Sequence, residues 1–153
     1  MKRAVLGIGN ILLHDDGIGI HVINELEKEE LVGVDLIDGG TAILDLLDIF
    51  INNDYIIIVD SLKGGHEPGT IYKLSAEDMD GYIKGNTSLH DVQILDIVKQ
   101  AKYLGFCPQV TILGIEPEKI DYEIGLTDRL KNQLPQLIKI VKDELEEKEK
   151  CQV

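Results

Sequence analysis

Apolar and polar positions change spacing along the chain in blocks, from strand-like to helix-like and back. Residues 3–8 (RAVLGI) form a short, mostly apolar run suited to a buried strand. In residues 17–30, Ile18, Val22, Ile23 and Leu26 fall on one helical face, with Glu25, Glu27, Glu29 and Glu30 mostly opposite. Residues 34–37 read as a second strand, closed by Asp38-Gly39-Gly40, and Thr41 is placed to cap a short helix through Phe50. Residues 55–59 (YIIIV) are apolar throughout, which predicts a strand covered on both faces. A glycine-rich loop at 63–69 follows, and residues 70–74 alternate as an edge strand would. Ser88 and Asp91 fit a capping box for a helix carrying Leu89, Val92, Leu95, Val98 and Ala101, ending near Gly105. Residues 109–113 read as a further strand. Thr127 is placed to cap a last helix with Leu130, Leu134, Leu137, Ile138, Val141 and Leu145 inward, kinked or restarted at Pro135.

Strand and helix alternate, so the crossovers are expected to be right-handed. The expected fold is an α/β three-layer α/β/α sandwich around a mostly parallel, twisted sheet of about five strands, with one edge strand or hairpin free to run antiparallel. With strand one between strands two and three, the switch point falls between strands one and three. The 153 residues suit one domain, 1–153, with a charged tail at about 146–153 expected to fray.

Charge narrows the function. The chain has 28 acidic and 15 basic side chains, a net charge of −13. That balance argues against general nucleic-acid binding and against an anionic membrane surface. No apolar run approaches the ~20 residues of a spanning helix. The basic, apolar N-terminus resembles a signal peptide, but Asn10 breaks the run, Asp15-Asp16 follow, and no small-x-small cleavage site appears, so a strand is the better reading. Cys107 and Cys151 make no disulfide framework, and a free thiol suits the cytoplasm. Cys107 reads as a passive thiol rather than a nucleophile.

The turn after strand one, Gly7-Ile8-Gly9-Asn10-Ile11-Leu12, looks like a dinucleotide fingerprint, with Asp38 where a ribose-binding acid would sit. Two features oppose that reading. Leu12 stands at the third glycine position, so close helix packing is not provided there. Asp15 and Asp16 open the following helix and would repel a phosphate. One of the two is expected to cap that helix, and two adjacent acids exceed what capping needs.

Loops after parallel strands share one edge of the sheet. Asp16 lies beyond strand one, Asp38 ends strand two, Asp60 closes YIIIV, and His90 opens a later helix. A carboxylate ending five apolar residues is costly unless it is paired, in a cleft or bound to a metal, although Asp60 can also cap the loop at Ser61-Leu62. His90 lies near a helix's positive end, which keeps imidazole neutral and able to ligate, though such a position also suits a surface residue. Two carboxylates and an imidazole suit borderline divalent ions such as nickel, zinc or manganese. Among the remaining imidazoles, His21 is expected on the solvent side of its helix and His66 solvated in its loop.

The chain resembles the hydrogenase maturation endopeptidases. The matching motifs are GIGNILLHDDGIGIHV at 7–22, DGGT at 38–41, IIIVDS at 56–61, SLHD at 88–91, and ILGIEP with IGLT within 112–127. Each is short, but together they span nearly the whole chain in order. The resemblance implies a peptidase that removes the C-terminal extension of a [NiFe]-hydrogenase large-subunit precursor after nickel insertion. It maps metal ligands onto Asp16, Asp60 and His90, and an accessory acid onto Asp38. The nickel would be that of the substrate, with zinc, cadmium or manganese able to occupy the site in isolation. Three mechanisms stay open: nickel as recognition element, a metal that polarises the carbonyl or activates water, and acids acting as general bases in the manner of an aspartyl protease. The first is favoured. A non-catalytic nickel-sensing chaperone and a dinucleotide-binding protein are the alternatives.

Overall fold

The computed structural model describes residues 1–42, 46–82 and 89–150, with side chains described for all of these except 80–82, 89, 90, 149 and 150. Five strands form one sheet: β1 (Arg3–Ile8), β2 (Val34–Gly40), β3 (Tyr55–Ser61), β4 (Ile71–Ser75) and β5 (Gln109–Ile115), in the order β2-β1-β3-β5-β4. The β1–β2, β1–β3 and β3–β5 pairs are parallel, and β4 lies antiparallel on β5 at the edge. Among the described residues, five α-helices accompany it: α1 (Ile18–Glu27), α2 (Leu47–Asn52), α3 (Ala76–Tyr82), α4 (Leu89–Tyr103) and α5 (Asp128–Lys150).

Alternation along β3 explains the three layers. Tyr55, Ile57 and Val59 face a core shared with Val22, Ile23 and Leu26 of α1 and with Leu130, Leu137 and Val141 of α5. Ile56 and Ile58 point the other way, toward Phe50, Met79, Ile94 and Ile97. Successive strand side chains take opposite faces, so a strand apolar at every position must be covered on both.

Several boundaries differ from expectation. Thr41 lies in a turn, and α2 begins only at Leu47, with residues 43–45 outside the described set. The proposed cap Ser88 is also outside it, although α4 runs where the apolar spacing places it. The helix α3 has no counterpart in the sequence reading, because AEDMDGY carries a single large aliphatic residue, Met79, which is buried. The last helix runs through Pro135 and stays helical to Lys150, beyond the onset of the charged tail. Leu145 is buried there, and the Lys148 ammonium sits 5.2 Å from the centre of the Tyr55 ring, which holds the last turns to the sheet. No helix among the described residues is long and apolar enough to cross a membrane.

The glycine turn is built for contact with the backbone. A Cβ on Gly7 would lie 2.3 Å from the Gly19 carbonyl oxygen, and one on Gly19 would lie 2.3 Å from the Val59 oxygen and 2.5 Å from the Ile8 oxygen. Close helix packing is therefore present. It is supplied within α1 by Gly19, not at Leu12 where the fingerprint looks for it.

Candidate active site

Strand β1 sends its chain toward β2, while β3 neighbours it on the other side, so the carboxyl ends of β1 and β3 flank the switch point. A short 3-10 turn, His14–Gly17, follows β1 and carries Asp15 and Asp16. Both are buried, yet neither caps α1, whose N-cap residue Gly17 makes no side-chain hydrogen bond. The expectation that one of them caps the helix is thus replaced by two tertiary roles.

Asp15 is a structural anchor. Its carboxylate accepts from the backbone N–H groups of Glu118 (2.8 Å), Lys119 (3.1 Å) and Thr127 (2.8 Å). It also accepts from the Thr127 hydroxyl at 2.8 Å. Thr127 immediately precedes α5, where its carbonyl accepts from the Lys131 N–H at 2.9 Å, and its hydroxyl donates to Asp15. A fully buried carboxylate is tolerable with this many donors.

Asp16 is turned toward the sheet edge. Its Oδ2 accepts from the Asn10 N–H at 3.0 Å, and its Oδ1 accepts from the Ser61 hydroxyl at 3.0 Å. The Ser61 N–H donates to Asp60 Oδ1 at 2.8 Å. The Ser61 hydroxyl thus ties the end of β3 to Asp16 across the switch point, while its N–H makes the local loop cap that the sequence allowed for Asp60. The relative exposures of Asp16 and Asp60 are 9% and 3%.

Asp38 stands at the next position outward. It pairs in register with Gly7, and its Oδ1 accepts from the Gly40 N–H at 3.0 Å. It is exposed and lines an open cleft of about 380 Å³ with Gly9, Asn10, Ile11, Leu12 and Thr41. His90 lies at the start of α4, and its side chain is outside the described residues. Among the described residues, no group of three His, Cys, Asp or Glu side chains is placed to hold a metal ion. The oxygen donors of Asp16 and Asp60, joined through Ser61, still suit a hard or borderline divalent cation as two members of a larger set.

Of the other histidines, His21 differs from expectation and His66 is exposed as expected. His21 is half-buried, and its Nε2 is enclosed with no hydrogen-bond partner among the described residues. Burial holds its imidazole below the usual 6.5, reinforced by Lys131 and opposed by Glu25 and Asp15. The His66 ring is exposed but lies 3.1 Å from the Tyr72 hydroxyl, and its backbone N–H donates to Glu116 at 3.2 Å. Glu116 also accepts from the Gly64 N–H (2.8 Å) and the Tyr72 hydroxyl (2.6 Å), fastening the loop that follows Asp60 and Ser61. Sequence reasoning passed over both Glu116 and Ser61. Glu116 carries the signal that singled out Asp60, an acid closing an apolar strand.

A sequence model described as hydrogenase maturation protease matches residues 20–144. The hydrogenase 2 maturation protease of Escherichia coli (strain K12) is 34% identical over 131 residues, covering 83% of this chain and 80% of its own length. The solved structure of the hydrogenase maturating endopeptidase HybD from E. coli superposes with a TM-score of 0.89 at 32% identity, over 97% of this chain and 94% of that one. A [NiFe] hydrogenase maturation protease from Thermococcus kodakarensis gives a TM-score of 0.79 at 25% identity, over 94% and 98%. The chain therefore belongs to the hydrogenase maturation protease family, a family of peptidases.

Proposed function

We propose that this chain is the endopeptidase that removes the C-terminal extension of a [NiFe]-hydrogenase large-subunit precursor, and that it uses the precursor's nickel as its recognition element. The observation that carries the reading is the bond from Ser61, next to Asp60 at the end of β3, to Asp16 after β1, at the switch point of a maturation-protease fold. Two buried carboxylates concentrate negative charge at an open sheet edge, where a cation-bearing partner is attracted and a phosphate is repelled. Oxygen ligands with one imidazole suit nickel, and the same set accepts zinc, cadmium or manganese in the isolated protein.

In this reading Asp16, Asp60 and His90 are the ligands, and His90 enters by its position at the start of α4. When bound, the ion supplies Lewis-acid polarisation and a fixed point for the precursor. Ser61 orients both carboxylates, by its hydroxyl toward Asp16 and by its N–H toward Asp60. Asp38 lines the adjoining cleft as the accessory acid, able to take or hold a proton beside the bond to be cut. The partner is the precursor protein and the setting is the cytoplasm, which suits the exposed thiol of Cys107.

The test is incubation of the chain with nickel-loaded and nickel-free precursor, followed by mass spectrometry. A shortened product from the loaded form alone is expected. No product from either form overturns the peptidase reading and leaves a nickel-sensing chaperone. Equal cutting of both forms overturns nickel recognition while leaving the peptidase.

A further inference from the structure

Two loops that are distant in sequence are clamped together beside the carboxylates. The Glu123 N–H donates to the Leu12 carbonyl at 3.0 Å, and the His14 N–H donates to the Glu123 carbonyl at 2.9 Å. These bonds make a short parallel bridge between Leu13 and Glu123. The His14 ring and the Glu123 carboxylate add a contact of 2.5 Å. The Leu13 N–H turns back to the Asn10 carbonyl, and the Asn10 N–H donates to Asp16. A continuous run of hydrogen bonds thus leads from the Asp16 carboxylate to the 122–124 segment.

The clamp presents apolar side chains to solvent. Ile11 is 44% and Leu12 49% exposed, while Tyr122 and Ile124, on either side of Glu123, are 88% and 75% exposed. Ile11 and Leu12 also line the cleft that holds Asp38, so cleft and clamp form one continuous surface. Clustered exposed apolar groups rimmed by polar ones mark an interaction surface. The 118–124 segment is acidic: Glu118, Asp121 and Glu123 are exposed on either side of Tyr122, together with the exposed cation Lys119.

We propose that this rim is the docking surface for an extended apolar segment of the precursor polypeptide that carries at least one Lys or Arg, lying from the Asp38 cleft across Leu12 to Tyr122 and Ile124. The proposal rests on the peptidase reading of the Asp16–Asp60 site. Three features select this occupant. The surface continues past the cleft over two loops, which fits an extended chain better than a compact small molecule. Its acidic margin complements a basic segment. A second copy of this chain would bring Glu118, Asp121 and Glu123 against their own like charges.

The experiment uses the full chain carrying Tyr122→Ser and Ile124→Ser together, with every site carboxylate intact. Both side chains are exposed, so the melting temperature is expected to stay unchanged. For nickel-loaded precursor, KM is expected to rise about tenfold or more while kcat stays within about twofold. Calorimetric titration of the same precursor is expected to show about tenfold weaker binding. Unchanged KM and binding overturn the proposal, and so does an oligomer that dissociates in the variant while precursor binding is unaltered. If the wild-type chain cuts no precursor, the peptidase reading fails and titration still decides the docking surface: weakened binding supports it, equal binding overturns it.

Discussion

Ser61 and Asp16 are joined by a hydrogen bond of 3.0 Å that crosses from the end of β3 to the turn after β1. The Ser61 N–H bonds its neighbour Asp60, so the residue that holds Asp16 is next in the chain to the second carboxylate. Replacing Ser61 with Ala is expected to reduce stability by about 1 kcal/mol, the worth of one hydrogen bond. Processing should slow about tenfold as Asp16 loses its orientation. Denaturant melts and a precursor-processing assay check this, and an unchanged rate removes Ser61 from the site.

Adjacent acids should behave in opposite ways. Asp15→Ala strips the acceptor from three backbone N–H groups and a hydroxyl in a buried setting. A loss of about 3 kcal/mol or more is expected, with faster proteolysis within residues 117–126. Asp16→Asn should keep stability within about 1 kcal/mol and abolish processing. Thermal melts, limited proteolysis and the processing assay separate the two.

Gly19→Ala tests the packing of α1. The added methyl would meet the backbone oxygens of Val59 and Ile8 at 2.3 Å and 2.5 Å, atoms that no rotamer change can move. The expected loss is about 3 kcal/mol or more, at the upper end for overpacking. A melting temperature equal to wild type would show that the helix can lift from the sheet without penalty.

His21 gives stability an acid limb. Its imidazole is held below the ordinary 6.5 chiefly by burial. In the unfolded chain it takes up a proton near that value, while the folded chain resists. Below that pH the unfolded state therefore binds more protons, and stability falls as pH falls. Urea melts from about pH 7 to about pH 5 should show a smaller decline for His21→Gln than for wild type. Equal declines would contradict the assignment.

The fold was legible where one kind of residue served one purpose. YIIIV, apolar at every position, could only be a strand covered twice, and the alternating segment at 70–74 found the antiparallel edge β4. Helix α3 was invisible because its acids dominate a segment held by Met79 and Ala76. At the site, position in the chain was enough to bring Asp16 and Asp60 to one edge. It was not enough to divide Asp15 from Asp16. The partners that divide them lie at 10 and 61 for one and at 118–127 for the other, and local spacing carries no trace of contacts so far apart. The same blindness made His21 look like a solvent-facing residue.

The anchoring of Asp15 has a consequence for how the protein comes into being. Its donors are 103 to 112 residues further along the chain, and the Leu13–Glu123 bridge spans a similar distance. Contacts of such long range close late, after the loop entropy between their ends has been overcome. During synthesis, the turn that bears Asp16 therefore waits for the last quarter of the chain before it is locked. The turn bearing Asp16 and the apolar rim beside it are therefore completed in one closing event, and a half-made chain lacks both.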